Sequence, residues 1–568
     1  MALADIPAAL LKTVNVYKTR SASQIGSGIA GQIDVKTQRP FDFDDRTFVL
    51  AGRAIHQEQA DKTDPQLSFL ATDTWEVDGG DFGALLNVSY TRTNFRDQSI
   101  TAGAMLPFAT ENPSAQKLDG SGYGPLERIF PDQCSPQCWS PGMENGLPFA
   151  AGSTLNINGT DEPYYLSRDA IFGSDFQGER ERPAVNLSLQ WAPNDYSTYT
   201  FEGFYNGYEQ ESFNSLFFQF VDWWGDVDPN DPVGLIDGTN IIESRYVNNA
   251  FNFTSGDVTQ SETDSYLLSL GGDWQINDNV SLSSITGYRE FDSLEVFDPD
   301  GFGLELLIFG EDASGEQFSQ EFRANYDAGG RVRGFVGASY FDESGEQDVP
   351  LTFDERAAQA LLGGFLTPPN APPVSALPAF NLTVFQQSGG TVIVPLKPIH
   401  NERYVNDGET QAFEVFADAN FDVTDRLQLT GGLRYTTEDK ESGLLVELLN
   451  GPSALTGAGL FVQPSGGRIS RSETFDDVTW RAAAKYEVND AVNLFANYAR
   501  GRRPEVITAS ASAPAAGFAI LDAEIVDAYE AGVKSALLNG DLSLEASAFY
   551  YEYSNFQSTE ITDEGLIE

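Results

Sequence analysis

Strand-like stretches follow one another along nearly the whole of this chain of 568 residues, and the connections between them are alternately tight and long. The tight connections, such as Ala192–Asp195, Ile276–Asn279 and Leu538–Asp541, are rich in residues that accept turn backbone angles. Nothing in a soluble sandwich requires strict alternation, whereas a bacterial β-barrel has short periplasmic turns at one rim and longer extracellular loops at the other. The pattern therefore predicts an all-β fold, an antiparallel transmembrane β-barrel.

Apolar and polar residues alternate inside the stretches. Around residue 430, Leu429, Leu433 and Tyr435 share one face, and Gln428 and Arg434 lie on the other. A period of two with one apolar face indicates a half-buried strand. The same alternation recurs in the later stretches, so we expect one face of the whole sheet to meet an apolar environment.

Tyrosines recur at a constant distance along the strands. Tyr288, Tyr435 and Tyr550 each lie eight residues beyond the first outward apolar residue of their strand. Eight residues of a strand tilted by about 40° rise by roughly 20 Å, which is close to the apolar band of about 25 Å that aromatic girdles border. These tyrosines are predicted to mark one border of the lipid-facing band.

Fifteen strands are predicted in total. They lie at about 46–58, 66–77, 82–95, 181–192, 196–210, 262–275, 279–296, 313–327, 331–346, 408–422, 426–440, 474–487, 491–503, 524–537 and 541–556. Bacterial single-chain barrels have even numbers of strands, and an unpaired edge is unfavourable in lipid. The chain is therefore expected to lack its final barrel strands.

The chain carries 84 acidic and 34 basic residues, a formal net charge of -50. This balance argues against nucleic acid as a partner. The charge is interpreted as a strongly hydrated surface, with a cation-collecting mouth as the alternative. We find no apolar run of about 18 residues, which argues against a transmembrane helix and leaves a closed sheet as the membrane-spanning alternative.

Cysteine and histidine are scarce. Cys134 and Cys138 are the only cysteines, and a local disulfide between them fits an exported protein better than a metal site, because no histidine is near them in the sequence. His56 and His400 are predicted to be solvent-exposed residues of loops or strand ends. No metal site, cofactor or catalytic motif is predicted, and the chain is not expected to be an enzyme.

Several segments resemble, in the same order, those of TonB-dependent receptors, outer-membrane plug-and-barrel transporters. Two segments before the first strand, Ile6–Thr19 and Gly28–Phe41, are similar to the end of the family's plug domain. Matches inside the barrel region are Ser284–Arg289, Gln317–Arg323, Leu429–Tyr435 and Tyr529–Lys534. The resemblance implies that residues 1–44 are the C-terminal part of a plug and residues 45–568 a partial barrel of about 15 of 22 strands with long extracellular loops. The signal peptide, the TonB box, the plug start and the last strands are expected to be missing, as in a fragment.

The resemblance also implies a function. Family members take up a scarce nutrient, such as a ferric siderophore or an oligosaccharide, and the TonB–ExbB–ExbD complex supplies the energy by acting on the plug. We accordingly expect a location in the bacterial outer membrane, with membrane lipid, lipopolysaccharide and a small-molecule or oligosaccharide ligand as partners. A passive porin and a secreted carbohydrate-binding β-protein remain as alternatives.

Two sets of residues are candidates for the site. Alternation places Glu321, Glu414 and Glu530 on inward faces, where Arg20 and Arg39 of the plug are possible ion-pair partners, although the glutamates could merely face water. Aromatic side chains in the long loops are candidates for stacking on a ligand or, alternatively, for loop packing. They are Trp139, Phe217, Phe218, Phe220, Trp223 and Trp224.

Overall fold

The computed structural model describes most of the chain, which is almost entirely β-structure. The described residues are 11–17, 24, 28–29, 31–103, 105–139, 147–168, 170–220, 235–242, 251–254, 259–297, 307–356, 382–387, 390–538 and 541–557. For residues 102, 170–172, 214–220, 251–254, 382–387 and 390–394 the description is limited to the backbone.

Among the described residues, fifteen strands form the wall, a large antiparallel sheet in which each strand pairs with its neighbours along the chain, and a short sixteenth strand, Phe251–Thr254, pairs with one of them. The wall strands are β3 (Thr47–Gln57), β4 (Lys62–Val77), β5 (Gly80–Ala102), β9 (Ala170–Asn194), β10 (Ser197–Phe220), β12 (Thr259–Asn277), β13 (Val280–Phe297), β14 (Leu307–Asp327), β15 (Val332–Phe353), β18 (His400–Asp422), β19 (Leu427–Leu448), β20 (Ile469–Asn489), β21 (Val492–Arg503), β24 (Glu524–Leu537) and β25 (Leu542–Ser554). The other strands are β1 (Leu11–Tyr17), β2 (Gln32–Thr37), β6 (Met105–Ala109), β7 (Thr154–Ile157), β8 (Thr160–Arg168), β11 (Phe251–Thr254), β16 (Leu382–Gln387), β17 (Gly390–Pro395), β22 (Val506–Thr508) and β23 (Ala519–Leu521).

The predicted fold class is confirmed, and each of the fifteen predicted strands corresponds to one wall strand. Most predicted strands were too short on the loop side, although the loop-side ends of β21 and β24 were predicted correctly. β9 begins at Ala170 rather than near 181, and β19 ends at Leu448 rather than near 440. Backbone pairing continues there although the side chains no longer alternate between apolar and polar, so the alternation could not reveal it.

Side-chain caps form the tight turns at one rim of the wall. Asn194 Oδ1 accepts the N–H of Tyr196 and Asn277 Oδ1 accepts that of Asn279, each at 2.9 Å. Asp327 and Asn489 accept the N–H two residues later in the same way. These Asx turns explain why Asn and Asp recur in the tight turns at this rim. We call it the turn rim, and the opposite one the loop rim.

The outward side of the wall is apolar over a band of its height. Leu268, Phe322, Val336, Val415 and Leu433 lie on this side and expose between 42 and 59% of their surface. The strand register places Tyr288, Tyr435 and Tyr550 on the same side. Large apolar side chains exposed in a continuous belt are what a lipid-facing band requires.

Phenol groups donate hydrogen bonds to carboxylates at the border of this band. Tyr435 Oη donates to Asp476 at 2.7 Å, and Tyr340 Oη donates to Asp342 at 2.8 Å. Tyr288 Oη lies 3.2 Å from a carboxylate oxygen of Glu290. A ring on the apolar side and a hydroxyl on the polar side suit a membrane–water interface.

Two smaller units accompany the wall. β1 and β2 form an antiparallel hairpin that precedes the first wall strand. β6, β8 and β7 form a three-stranded sheet in the connection between β5 and β9, with a buried apolar core of its own. Among the described residues, no helix has both the length and the apolar character needed to cross a membrane.

Candidate functional site: the inner side of the wall and its rims

Glu202 of β10 joins the wall to the segment that follows the β1–β2 hairpin. Thr37 Oγ1 donates to Glu202 Oε1 at 2.7 Å, and Arg39 Nη2 donates to Glu202 Oε2, also at 2.7 Å. Glu202 is buried, with 9% of its surface exposed. Both carboxylate oxygens are therefore engaged by the segment, and a buried charge is paired as its desolvation requires.

The next residues of the segment also lie against the wall. The backbone N–H of Phe41 donates to Gln190 Oε1 at 2.9 Å, and Pro40 is buried. Gly83 of β5 makes room for this approach, because a Cβ at that position would lie 2.6 Å from Pro40 Cβ. We call residues 37–42 the anchor segment and the side of the wall that it touches the inner side.

The strand register shows which residues of the other wall strands lie on the same side of the sheet as Glu202. Glu202 pairs with Ser269, and successive pairs lead to Glu321, Glu414 and Glu530. Opposite residues of antiparallel strands point to the same side of the sheet. The three predicted glutamates thus lie on the inner side, as alternation indicated.

The partners that the structure describes for these glutamates belong to the wall. Arg323 Nη2 lies 2.7 Å from Glu321 Oε1, and Arg434 Nη1 contacts Glu414. Both arginines belong to the wall itself, so plug arginines are not needed to neutralise these carboxylates. Glu530 accepts a hydrogen bond from Asn497 Nδ2 at 3.1 Å.

Among the predicted plug arginines, Arg39 pairs with Glu202, a residue that sequence analysis missed, and Arg20 lies outside the described residues. The sequence contained a pattern that could have identified Glu202 as an inner-side residue. Glu202 lies five residues after the start of β10 at the turn rim, and it alternates with the outward Phe201 and Gly203. The sequence does not show which wall strands the anchor segment contacts, so it could not identify Glu202 as the partner of Arg39.

A disulfide joins Cys134 and Cys138 in the connection between β5 and β9, which we call the loop core. Trp139 belongs to the same buried cluster, exposes 7% of its surface, and donates its Nε1–H to the carbonyl oxygen of Ile129 at 2.9 Å. Trp139 thus lies in the packing of the loop core, which is the alternative that the sequence left open, and its contact with a ligand stays a prediction.

The remaining aromatic candidates are described less fully. Phe217, Phe218 and Phe220 lie at the end of β10, where the first two pair through the backbone with β11, and this part of the description is confined to the backbone. Trp223 and Trp224 lie outside the described residues. The ligand contacts proposed for these five residues stay predictions.

His400 is fully buried, contrary to the prediction, whereas His56 is exposed as predicted. His400 begins β18 and lies next to two buried carboxylates. The prediction failed because scarcity and an isolated position in the sequence say nothing about burial. Among the described residues, no group of three or more His, Cys, Asp or Glu side chains is arranged to hold a metal ion.

A groove of about 440 Å³ lies near the loop rim, on the outward side of the wall. Half of its lining residues are acidic, among them Glu290, Glu316, Glu409 and Glu441, and Arg468 contacts Asp407 at its edge. The carboxylates outnumber the arginine, so the groove repels anions. It faces away from the inner side and is therefore separate from any route through the barrel.

Comparison with known proteins gives one family match and a large set of structural matches. Residues 198–566 match the family model described as TonB dependent receptor-like, beta-barrel. The ferric yersiniabactin uptake receptor FyuA from Yersinia pestis shares the fold with a TM-score of 0.50 at 13% identity, over 96% of this chain and 60% of that one.

Two further solved structures give similar values. The siderophore receptor PiuA from Acinetobacter baumannii matches with a TM-score of 0.51 at 12% identity, over 95% of this chain and 62% of its own. The closed form of the ferric-catecholate import receptor Fiu from Escherichia coli K12 matches with a TM-score of 0.51 at 12% identity, over 98% of this chain and 65% of its own. The chain thus spans less than two thirds of each of these receptors.

Proposed function

Because the chain belongs to the TonB-dependent receptor family, we propose that it serves energy-coupled import of a scarce small molecule across the bacterial outer membrane. Members of this family are transporters and not enzymes. The contact of Thr37 and Arg39 with Glu202 is the observation that carries the proposal. It holds the segment that precedes the wall against the inner side of the wall, where a plug is expected.

The hydrogen bonds of the anchor segment oppose its spontaneous release from the inner side of the wall. Its release breaks the bonds of Thr37 and Arg39 to Glu202 and the bond of Phe41 to Gln190. A neutral hydrogen bond contributes about 1 kcal/mol and one to a charged group about 1.5–3 kcal/mol, so these contacts together oppose release by several kcal/mol. A pull from the periplasm by the TonB–ExbB–ExbD complex would supply work of this size.

We propose a ferric chelate as the imported molecule. FyuA, PiuA and Fiu are described as receptors for ferric yersiniabactin, a siderophore and ferric catecholates, which supports this class by analogy. The net charge of -50 disfavours a strongly anionic chelate. An oligosaccharide is the second candidate class from the sequence, and the same transport experiment tests it.

The outward apolar band supports a position in the outer membrane. Exposed Leu433, Val336 and Phe322 would contact acyl chains, and the tyrosines at the border of the band would lie at the headgroups. Lipid and lipopolysaccharide are the partners that we propose for this side of the wall.

Uptake by intact cells tests the proposal. The reading frame that contains this chain, with any residues that precede or follow it, is expressed in a bacterial strain that lacks its own siderophore receptors. Entry of ⁵⁵Fe-labelled chelates and of labelled oligosaccharides is then measured with and without TonB. We expect accumulation of a ferric chelate that stops when TonB is removed. Accumulation that is independent of TonB would instead identify a passive porin, and recovery of the protein in the detergent-free soluble fraction would favour the secreted β-protein.

A further inference from the structure

A buried polar cluster lies at the loop rim, where β15 ends and β18 begins. Glu355, His400 and Glu402 expose none of their side-chain surface. His400 Nε2 lies 3.1 Å from Glu402 Oε1, and His400 Nδ1 lies 3.7 Å from Glu355 Oε1. The register places His400 and Glu402 on the inner side of the wall.

Both carboxylates bind the backbone of the loop between β19 and β20, residues 449–468. Glu402 accepts the three successive backbone N–H groups of residues 460–462 within 3.0 Å. Glu355 accepts the N–H of Ala454 at 2.8 Å and that of Lys397 at 2.7 Å. Glu402 thus replaces solvent for three amide groups of this loop and Glu355 for one, and each carboxylate is itself stabilised by the N–H dipoles that it accepts.

The side-chain ammonium of Lys397 also binds this loop. Its Nζ lies within 2.9 Å of the carbonyl oxygens of Asn450, Gly451 and Pro452, and 3.2 Å from His400 Nδ1. Three carbonyl acceptors require the three N–H donors of a charged ammonium. Because that cation faces Nδ1, we assign the imidazole proton to Nε2, where it is donated to Glu402.

Apolar packing continues the contact. Val462, which follows the amides held by Glu402, belongs to a buried cluster with Val349 and Leu351 of β15 and with Leu444 and Val446 of β19. The loop is therefore held to the inner side of two wall strands as well as to the buried charges.

We propose that Glu355, Lys397, His400 and Glu402, the loop clasp, couple the base of the connection between β15 and β18 to loop 449–468. The described base of that connection and loop 449–468 then move as one body at the loop rim. The coupling follows because loss of any one member leaves another buried charge or amide without its partner, which loosens contacts that the lost residue did not itself make. That this rim is extracellular rests on the proposed function, whereas the coupling does not.

Hydrogen exchange of the whole protein in detergent micelles, followed by mass spectrometry, tests the coupling. In Glu402→Gln we expect amide exchange at residues 460–462 to rise about tenfold or more. We expect a comparable rise at Ala454, whose N–H bonds to Glu355 and not to Glu402. Glu447→Gln is the matched control, because Glu447 is a partly exposed glutamate near Arg403 on the neighbouring strand. Amide exchange in this variant at residues 454 and 460–462 should equal that of the wild type.

Faster exchange confined to residues 460–462 in Glu402→Gln would overturn the proposal, since Glu402 would then be only a local cap. Lys397→Met gives a second test if Glu402→Gln does not fold. Lys397 touches no amide of residues 460–462, yet its removal should speed their exchange severalfold, and an unchanged rate there would also refute the coupling. Neither result depends on TonB or on uptake, so failure of the proposed function is distinguishable from failure of the clasp.

Discussion

Glu202 shows how one side chain can attach a separate segment to the wall. Its two oxygens accept from a hydroxyl and a guanidinium on alternate residues of the anchor segment. The ion pair is only partly screened, because the Glu202 side chain is 12% exposed, whereas Arg39 is 45% exposed. We therefore assign most of the stabilisation to the burial and full pairing of the carboxylate.

Replacing Glu202 by Gln should loosen the anchor segment. The substitution removes the charge and one accepting oxygen, and we expect a local destabilisation of about 1–2 kcal/mol. Hydrogen exchange at residues 37–42 should be roughly 5- to 30-fold faster. Glu209→Gln is the control, since Glu209 is exposed on the outward side of the same strand, and equal exchange in the two variants would show that the contact contributes nothing.

Gly83→Val should also displace the anchor segment from the wall, here by steric overlap. The new Cβ would meet Pro40 Cβ at 2.6 Å and the ring of Phe41 at about 3.0 Å, so the segment must move away from β5. Overpacking of this kind costs about 1–3 kcal/mol. Protease cleavage between residues 31 and 46 should increase in this variant. It should not increase in Gly431→Val, where nothing lies within 4 Å of an added Cβ.

At single residues, strand periodicity predicted the orientation of the side chains but did not identify their partners. Alternation placed Glu321 and Glu414 on the inner side, because strand periodicity is local. Their pairing with Arg323 and Arg434 depends on the chemistry of neighbouring positions, and that of Arg39 with Glu202 depends on the path of the anchor segment. The burial of His400 depends on a loop that starts about fifty residues later in the sequence.

At the scale of elements, the loop core between β5 and β9 has a buried apolar cluster, and its Leu166 also pairs through the backbone with Asn240 and Ile242. Tyr123 is buried there, and Lys117 Nζ lies 5.2 Å from the centre of its ring. Burial, followed by the nearby carboxylates of Glu127, Asp132 and Asp119, raises the pKa of Tyr123 to about 12. The phenol is thus held neutral inside the core at pH values at which an exposed phenol ionises.

The loop core should lose stability above pH 10. A raised pKa means that the folded state keeps its proton longer, so the stabilisation is complete below the ordinary pKa of about 10 and declines as the pH approaches 12. The difference in absorbance at 295 nm between wild type and Tyr123→Phe should titrate near pH 12. A midpoint near pH 10 would show that the ring is open to water.

Elements were predicted more accurately than their ends. The turns at 192–195 and 276–279 were readable because Asn and Asp provide the capping oxygen within the same few residues. The extension of β18 back to His400 was not readable, since residues there pair through the backbone while their side chains serve the clasp.

For the molecule as a whole, the outward apolar band determines the position of the wall relative to the bilayer. Leu433 lies on the outward side of β19 with 53% of its surface exposed, and Asp439 lies on the same side six residues later. The two positions differ mainly in height along one strand. They therefore separate an effect of depth in the bilayer from an effect of charge.

Leu433→Arg should impair assembly into bilayers, whereas Asp439→Arg should not. An arginine facing the middle of the hydrocarbon costs about 2–4 kcal/mol, and near the interface about 0–1 kcal/mol. Folding into phospholipid vesicles, followed by the heat-dependent shift of the band in gel electrophoresis, measures the difference. Equal yields for both variants would contradict a lipid-facing band at Leu433.

Each wall strand pairs with the strands that come directly before and after it in the wall, and the turn rim closes every second pair with a few residues. Adding or exchanging residues in a connection at the loop rim leaves unchanged the pairs of strands that are joined at the turn rim, because the register of those pairs is set at the opposite end. The recognition surface of such a molecule can diversify by insertion and recombination while the scaffold beneath it stays the same.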